Sequence, residues 1–138
     1  MRRILFLGLC VLLSPGLLHA QSQPYRVAFD LTSRDTLEQK AVLRWLREVG
    51  TSSPEAQMEV VMYGKGFELV MPERSAYIAD VKEAMKNPNV KFKVCAIALR
   101  NNNVDKSQLL PGVETVPDGI HELVSKQQDH WGYIKVMH

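Results

Sequence analysis

The stretch Val90-Lys91-Phe92-Lys93-Val94-Cys95-Ala96-Ile97 decides the fold class of this chain. It begins with alternating polar and apolar side chains, which is typical of a β-strand. Its second half is wholly apolar, which is typical of a strand that enters a sheet covered on both faces. Such strands belong to parallel sheets packed between helices, so the segment predicts an α/β fold. The alternation places Lys91 and Lys93 in solvent or near an edge of the sheet.

Strand and helix patterns alternate on both sides of this segment. The predicted strands are 25–31, 58–63, 90–97, 113–116 and 131–137. The predicted helices run from a cap within 32–35 to about 49, over 75–85, and onward from Asp118 as a cap. Residues 67–71 fit either a short strand or a short helix. Strands that alternate with helices imply right-handed crossovers, so we predict one domain with a mostly parallel five-stranded sheet between helical layers.

Apolar spacings of three and four residues define the inward faces of the helices. In the first helix this face comprises Leu37, Ala41, Val42, Trp45, Leu46 and Val49. In the last helix it comprises Ile120, Leu123 and Val124.

The first twenty residues show the order of features found in a secretory signal. Met1-Arg2-Arg3 is a charged start, the apolar run 4–13 is too short to span a bilayer, and 14–16 breaks it. Ala20 supplies a small residue for cleavage. We therefore expect a signal peptide at 1–20, a mature domain at 21–138 and export, to the periplasm if the source is Gram-negative. A retained anchor or a buried helix is the alternative.

Charge excludes one class of function. The chain has 17 basic and 15 acidic residues, and removal of Arg2 and Arg3 with the signal leaves 15 of each. A neutral mature domain with no basic patch is not typical of a nucleic-acid-binding protein. No segment after the signal is apolar and long enough to predict a membrane span.

Cysteine usage gives the first candidate site. Cys10 lies within the signal, and Leu9 stands where a lipoprotein signal would have a small residue, so lipidation is not expected. Cys95 is then the single cysteine of the mature chain and cannot form an internal disulfide. In an oxidising compartment an odd cysteine indicates a free thiol or an intermolecular bond, whereas free cysteines are also among the most buried residues.

Other chemistry-bearing residues lack the spacing of a site. The stretch 64–66, Gly-Lys-Gly, lacks the remaining residues of nucleotide-binding motifs and predicts a turn. The histidines and methionines are not clustered at metal-ligand spacing, so we predict surface histidines, core methionines and no bound metal: His121, His130, His138, Met58, Met62, Met71 and Met85.

Cys95 stands out by its place in the predicted fold. It lies at the end of a central strand, and ligands collect at the carboxyl ends of strands in open α/β sheets. If a helical turn begins at Ala96, the dipole and free N–H groups there favour a thiolate. The pattern permits a reactive thiol without requiring one.

Several stretches together resemble the DsrE/DsrF-like (DsrE/TusD) sulfur-relay family. They are Val94-Cys95-Ala96-Ile97-Ala98-Leu99-Arg100, the apolar strand closing at 64–66, the stretch 109–120 with its Leu-Leu-Pro-Gly-Val and Val-Pro-Asp-Gly elements, and 132–135. The likeness extends over nearly the whole mature chain. It implies a flavodoxin-like three-layer fold, a homo-oligomer, and a cysteine that carries persulfide sulfur between partners. Only Cys95 transfers as a catalytic candidate, and Ala96 replaces a glycine that many relatives have after this cysteine.

Three functions follow as hypotheses. The first is an exported sulfur carrier that uses the Cys95 thiol or persulfide, exchanges sulfur with a donor or acceptor protein and needs no cofactor. The second is a non-catalytic homo-oligomeric binding or assembly module in which Cys95 is structural. The third, a flavin-binding domain, has only fold analogy behind it. The apolar segment 67–71, if exposed, would form the oligomer interface.

Overall fold

The computed structural model describes residues 24–137, which form five strands, four α-helices and two short 3-10 helices. The predicted signal peptide lies outside the described residues. In chain order the main elements are β1 (Arg26–Leu31), α1 (Thr36–Ser52), β2 (Gln57–Met62), α2 (Ile78–Ala84), β3 (Val90–Cys95), α3 (Ala96–Asn101), β4 (Glu114–Val116), α4 (Gly119–Gln128) and β5 (Gly132–Lys135). The 3-10 helices are Gly66–Val70 and Lys106–Gln108.

The five strands form one sheet in the order β4-β3-β2-β1-β5, and every neighbouring pair is parallel. The sheet confirms the predicted α/β fold with its five-stranded parallel sheet. Strands β1 to β4 lie side by side in their order along the chain. The last strand, β5, pairs with the other side of β1. Its register places Tyr133 beside Ala28 and Lys135 beside Asp30.

The first face of the sheet carries the main hydrophobic core. Fully buried side chains alternate along the three central strands and pack against α1 and the 3-10 helix at 66–70. The core-facing residues of the strands are Val27, Phe29, Leu31, Met58, Val60, Met62, Val90, Phe92 and Val94. Helix α1 begins at the cap Asp35, whose carboxylate accepts hydrogen bonds from the backbone N–H groups of Leu37 and Glu38.

The second face of the sheet is covered by α4, and its apolar contact is small. Leu123 is the buried apolar side chain that α4 contributes, and it packs against Ala28 and Val61. Ile120 and Val124, predicted to face inward, are 58% and 47% exposed. That prediction is wrong because α4 turns a charged face, not an apolar one, toward this side of the sheet.

Two other expectations need correction. The segment 67–71 would form the oligomer interface only if it were exposed, and Phe67, Leu69, Val70 and Met71 are all buried in the core. Leu37 is 57% exposed because it lies in the first turn of α1, beyond the edge of the sheet-facing stripe. Among residues 24–137, none of the helices has the length and apolar character needed to span a bilayer.

Candidate functional site

Cys95 occupies the place predicted for it, at the carboxyl end of the central strand β3. It is the last residue of β3 and also the N-cap residue of α3, with extended backbone angles of φ −66° and ψ 120°. Its side chain makes no capping hydrogen bond to the first turn of α3. The thiol is free of any disulfide, and the residue is 4% exposed. The expected helical turn at Ala96 is therefore present, and the cysteine at its start is buried.

Helix α4 covers Cys95 with its first residue, Gly119. A β-carbon placed on Gly119 would lie 3.1 Å from the Cβ of Cys95 and 3.4 Å from the Cβ of Tyr63. A glycine therefore allows the helix N-terminus to approach the strand ends closely. Asp118 caps this helix by accepting a hydrogen bond from the backbone N–H of Ile120 at 2.9 Å.

Beside Tyr63, at the carboxyl ends of β1 and β5, lies a cluster of polar side chains around a buried carboxylate. Asp30 is 2% exposed. Its Oδ2 accepts hydrogen bonds from the hydroxyl groups of Tyr63 at 3.1 Å and Tyr133 at 2.6 Å. Its Oδ1 accepts a hydrogen bond from the ammonium of Lys135 at 3.0 Å, and the same ammonium donates to Oγ1 of Thr32 at 3.0 Å. We call these five residues the Asp30 cluster.

The two tyrosines that bind Asp30 have raised pKa values. Burial, followed by the charge of Asp30 and the hydrogen bond to it, raises the pKa of Tyr63 to about 12. The hydrogen bond to Asp30, followed by burial, raises the pKa of Tyr133 to about 12. Both phenols therefore remain protonated hydrogen-bond donors across the physiological pH range. Convergent polar groups with shifted pKa values are typical of functional sites in α/β proteins.

A second charged group joins α4 to the sheet toward the amino ends of the strands. Lys93 contacts Glu59 at 3.0 Å and Glu122 at 2.8 Å. Lys126 contacts Glu59 at 3.0 Å and lies 4.3 Å from the ring centre of Trp131. Lys93, predicted to lie in solvent or near an edge of the sheet, is in β3 beside the edge strand β4, and its ammonium is partly buried in this network. Lys91 is exposed, as predicted.

Burial and neighbouring charges shift the pKa values of groups in this network. Burial, followed by the neighbouring Glu122 carboxyl, raises the pKa of Glu59. Burial opposes the charge on Lys93, but its hydrogen bonds to Glu122 and Glu59 outweigh that effect and raise the pKa of Lys93. One carboxylate oxygen of Glu59, Oε1, is buried without a hydrogen-bond partner among the described residues, which weakens the network as a source of stability.

The Gly-Lys-Gly stretch forms a turn, as predicted, and the turn closes the end of β1. Gly64 has a φ of +57°, and a β-carbon there would lie 2.8 Å from the carbonyl oxygen of Thr32. The backbone N–H of Lys65 donates to that same oxygen at 2.9 Å. A β-carbon at Gly66 would overlap the carbonyl oxygen of Leu31. These contacts fix the loop that carries Thr32 into the Asp30 cluster.

The remaining sequence candidates are not brought together. His121 and His130 are exposed, on α4 and after it, and His138 lies outside the described residues. Within residues 24–137, no group of three or more His, Cys, Asp or Glu side chains is arranged to hold a metal ion.

Comparison with known proteins places this geometry in a family. The model of the DsrE/DsrF-like family matches residues 18–136, which include every strand and helix described above. The chain belongs to the DsrE/DsrF-like family. This membership confirms the resemblance drawn from the cysteine segment and from the stretch 109–120. No curated protein matches the chain.

Two solved structures are similar to this family member. A protein of unknown function, MTH1491 from Methanobacterium thermoautotrophicum, is 30% identical, has a TM-score of 0.75, and is matched over 80% of this chain and 98% of its own. A conserved protein of unknown function, BT1422 from Bacteroides thetaiotaomicron, is 11% identical with a TM-score of 0.66, over 80% and 94% of the two chains. The second likeness shows the fold alone.

The sequence predicted the position of Cys95 at the end of a central strand, but it did not predict the Asp30 cluster. Asp30 is separated from Tyr133 by 103 residues and from Lys135 by 105, so no local motif joins them. One signal was present: Asp30 stands between the apolar residues Phe29 and Leu31 of a predicted strand, and a charge buried in this way needs partners.

Proposed function

We propose that the protein carries sulfane sulfur on Cys95 as a persulfide. Membership of the DsrE/DsrF-like family suggests a role of the sulfur-relay type. The observation that carries the proposal is the placement of a free thiol at the carboxyl end of a central parallel strand, under the first turn of α4. Side chains at such strand ends face the region where ligands bind in open α/β sheets.

The proposed chemistry is thiol–persulfide exchange. The Cys95 thiolate attacks the outer sulfur of a donor persulfide, R–S–SH, and forms a new S–S bond. The S–S bond of the donor breaks, and R–S⁻ leaves with the electron pair. An acceptor thiolate then removes the outer sulfur from Cys95 by the same exchange. No outside oxidant or reductant is required, and no second cysteine is needed as a resolving partner.

A non-catalytic binding or assembly module is the second candidate. One observation favours it: Cys95 is 4% exposed and belongs to the buried core cluster. A structural cysteine in such a position would be inert until the protein unfolds.

Intact-mass measurement separates the two candidates. The native protein is exposed to a small persulfide donor, with Cys95→Ser as the control. The carrier function predicts a gain of one sulfur atom that is lost in Cys95→Ser and is removed by an acceptor thiol. The absence of that gain in native protein, together with labelling of Cys95 only in denaturant, would establish the structural role.

Two further properties complete the proposal. The features of residues 1–20 support export, and N-terminal sequencing of protein from an exporting host should find a start near Gln21. The exposed Ile120 and Val124 support a homo-oligomer that forms through the outer surface of α4. Light scattering at micromolar concentration should show more than a monomer, and a monomer at all dilutions would reject this assembly.

A further inference from the structure

The carboxyl ends of β1 and β5 lie side by side in the sheet, with Asp30 beside Lys135. From β1 the chain passes to β2 through α1 on the first face, whereas β5 is reached from β4 through α4 on the second face. Ligands bind at the carboxyl ends of the strands in open parallel sheets. Asp30 and Thr32 of the Asp30 cluster lie here, two strands away from Cys95.

Two hydrogen-bond donors of the cluster are available to a ligand. The ammonium of Lys135 has three N–H groups, and it directs one to Asp30 and one to Thr32. The hydroxyl of Thr32 accepts that bond, so its own proton remains to be donated. The two donor atoms are 3.0 Å apart, a spacing that suits the two oxygens of a carboxylate. The Lys135 side chain is 35% exposed, so a ligand can reach it.

The buried carboxylate of Asp30 holds the ammonium of Lys135 in position by a hydrogen bond. It accepts hydrogen bonds from two phenols and one ammonium, so its charge is satisfied from within the protein. The ammonium of Lys135 is thereby fixed in place between Asp30 and Thr32.

The distance to Cys95 limits the length of the ligand. Thr32 follows β1 and Cys95 ends β3, so two strand spacings of about 4.8 Å each separate them, or about 10 Å. Tyr63 lies between them at the end of β2, and Gly119 packs closely on both Tyr63 and Cys95. About three extended residues span that distance. An inorganic oxyanion is too short, whereas a small peptide thiol is long enough.

We propose that Thr32 and Lys135 bind the carboxylate of a low-molecular-weight peptide persulfide and so hold its outer sulfur toward Cys95. This inference rests on the proposed persulfide function and adds the class of sulfur donor to it. The transfer step is the exchange described above: the outer sulfur moves to Cys95, and the peptide leaves as its thiolate.

The test compares two donors that differ in the carboxylate. Glutathione persulfide carries carboxylates, and cysteamine persulfide carries none. We expect Lys135→Gln and Thr32→Val each to slow loading of Cys95 by subsaturating glutathione persulfide about tenfold, because each removes a hydrogen bond to a charged group. Loading by cysteamine persulfide should be unchanged, which also shows that the variants are folded. Lys65→Gln, on the neighbouring exposed turn, is the matched charge control and should behave as wild type.

Each other outcome has a definite meaning. Equal slowing of both donors by Lys135→Gln and Thr32→Val, or no slowing of either, would overturn the carboxylate site while leaving the carrier function intact. If Lys65→Gln also slows loading by glutathione persulfide, the slowing comes from a general charge effect, and the proposed site is rejected. If neither donor loads wild-type Cys95, the carrier function itself fails, and the donor assignment fails with it.

Discussion

Replacement of Leu123 by alanine tests how a reagent or a substrate reaches the buried Cys95. Leu123 is 6% exposed and is the buried apolar side chain by which α4 packs on the sheet. Truncation of a buried leucine costs about 2–5 kcal/mol. Suppose that this loss of free energy weakens only the packing of α4 against the sheet. Even about 2 kcal/mol then raises the fraction of molecules in which α4 is displaced about thirtyfold.

The assay is the rate at which a small thiol reagent labels Cys95 in native buffer. We expect Leu123→Ala to increase that rate by about thirtyfold or more, since the first turn of α4 covers the cysteine. Leu46→Ala is the matched control, because Leu46 is 3% exposed but lies on α1, on the opposite face of the sheet.

Two results would refute this reasoning. If Leu46→Ala accelerates labelling as much as Leu123→Ala at equal loss of global stability, the thiol is reached by global unfolding and not by displacement of α4. If Leu123→Ala destabilises the protein but leaves the labelling rate unchanged, α4 is not the cover of Cys95.

Two more predictions concern the end of β1. Gly66→Ala should lower the free energy of unfolding by about 1–3 kcal/mol in urea denaturation, because the new methyl group overlaps the carbonyl oxygen of Leu31; a wild-type midpoint would contradict the close approach. Tyr63 and Tyr133 should ionise near pH 12 in ultraviolet titration, and Asp30→Asn should lower both values, that of Tyr133 by the larger share. Because the folded-state pKa values exceed the ordinary value near 10, this stabilisation is complete below pH 10 and is lost as the pH rises toward 12. Phenolates that form near pH 10 in the native wild type would show that the hydrogen bonds to Asp30 are absent.

The strands and their order of appearance could be predicted because the sheet is parallel and mostly buried. Continuous apolar runs such as 90–97 identify such strands, and the strand-end position of Cys95 followed directly. The predicted end of this strand was too late by two residues: β3 ends at Cys95, and Ala96 and Ile97 belong to the first turn of α3.

The inward face of α4 could not be predicted from hydrophobic spacing. That spacing assumes that the partner surface is apolar, but the second face of the sheet presents Glu59 and Lys93. The helix therefore turns Glu122 and Lys126 inward and leaves Ile120 outside. A charged sheet face becomes evident only when the pairing of β2 with β3 is known.

The pairing of β1 with the distant strand β5 has a consequence for folding kinetics. Strand β5 pairs with β1 across more than one hundred residues of sequence, the least local pairing in the sheet. Until that pairing forms, β1 is an exposed edge strand, and Asp30 lacks the Tyr133 and Lys135 partners that satisfy its charge. The α4–β5 unit should therefore consolidate last and exchange its amide protons first. The proposed donor site then forms only in the final folding step, because Lys135 lies on β5. A chain that stops folding before this step has a hydrophobic core but no donor site.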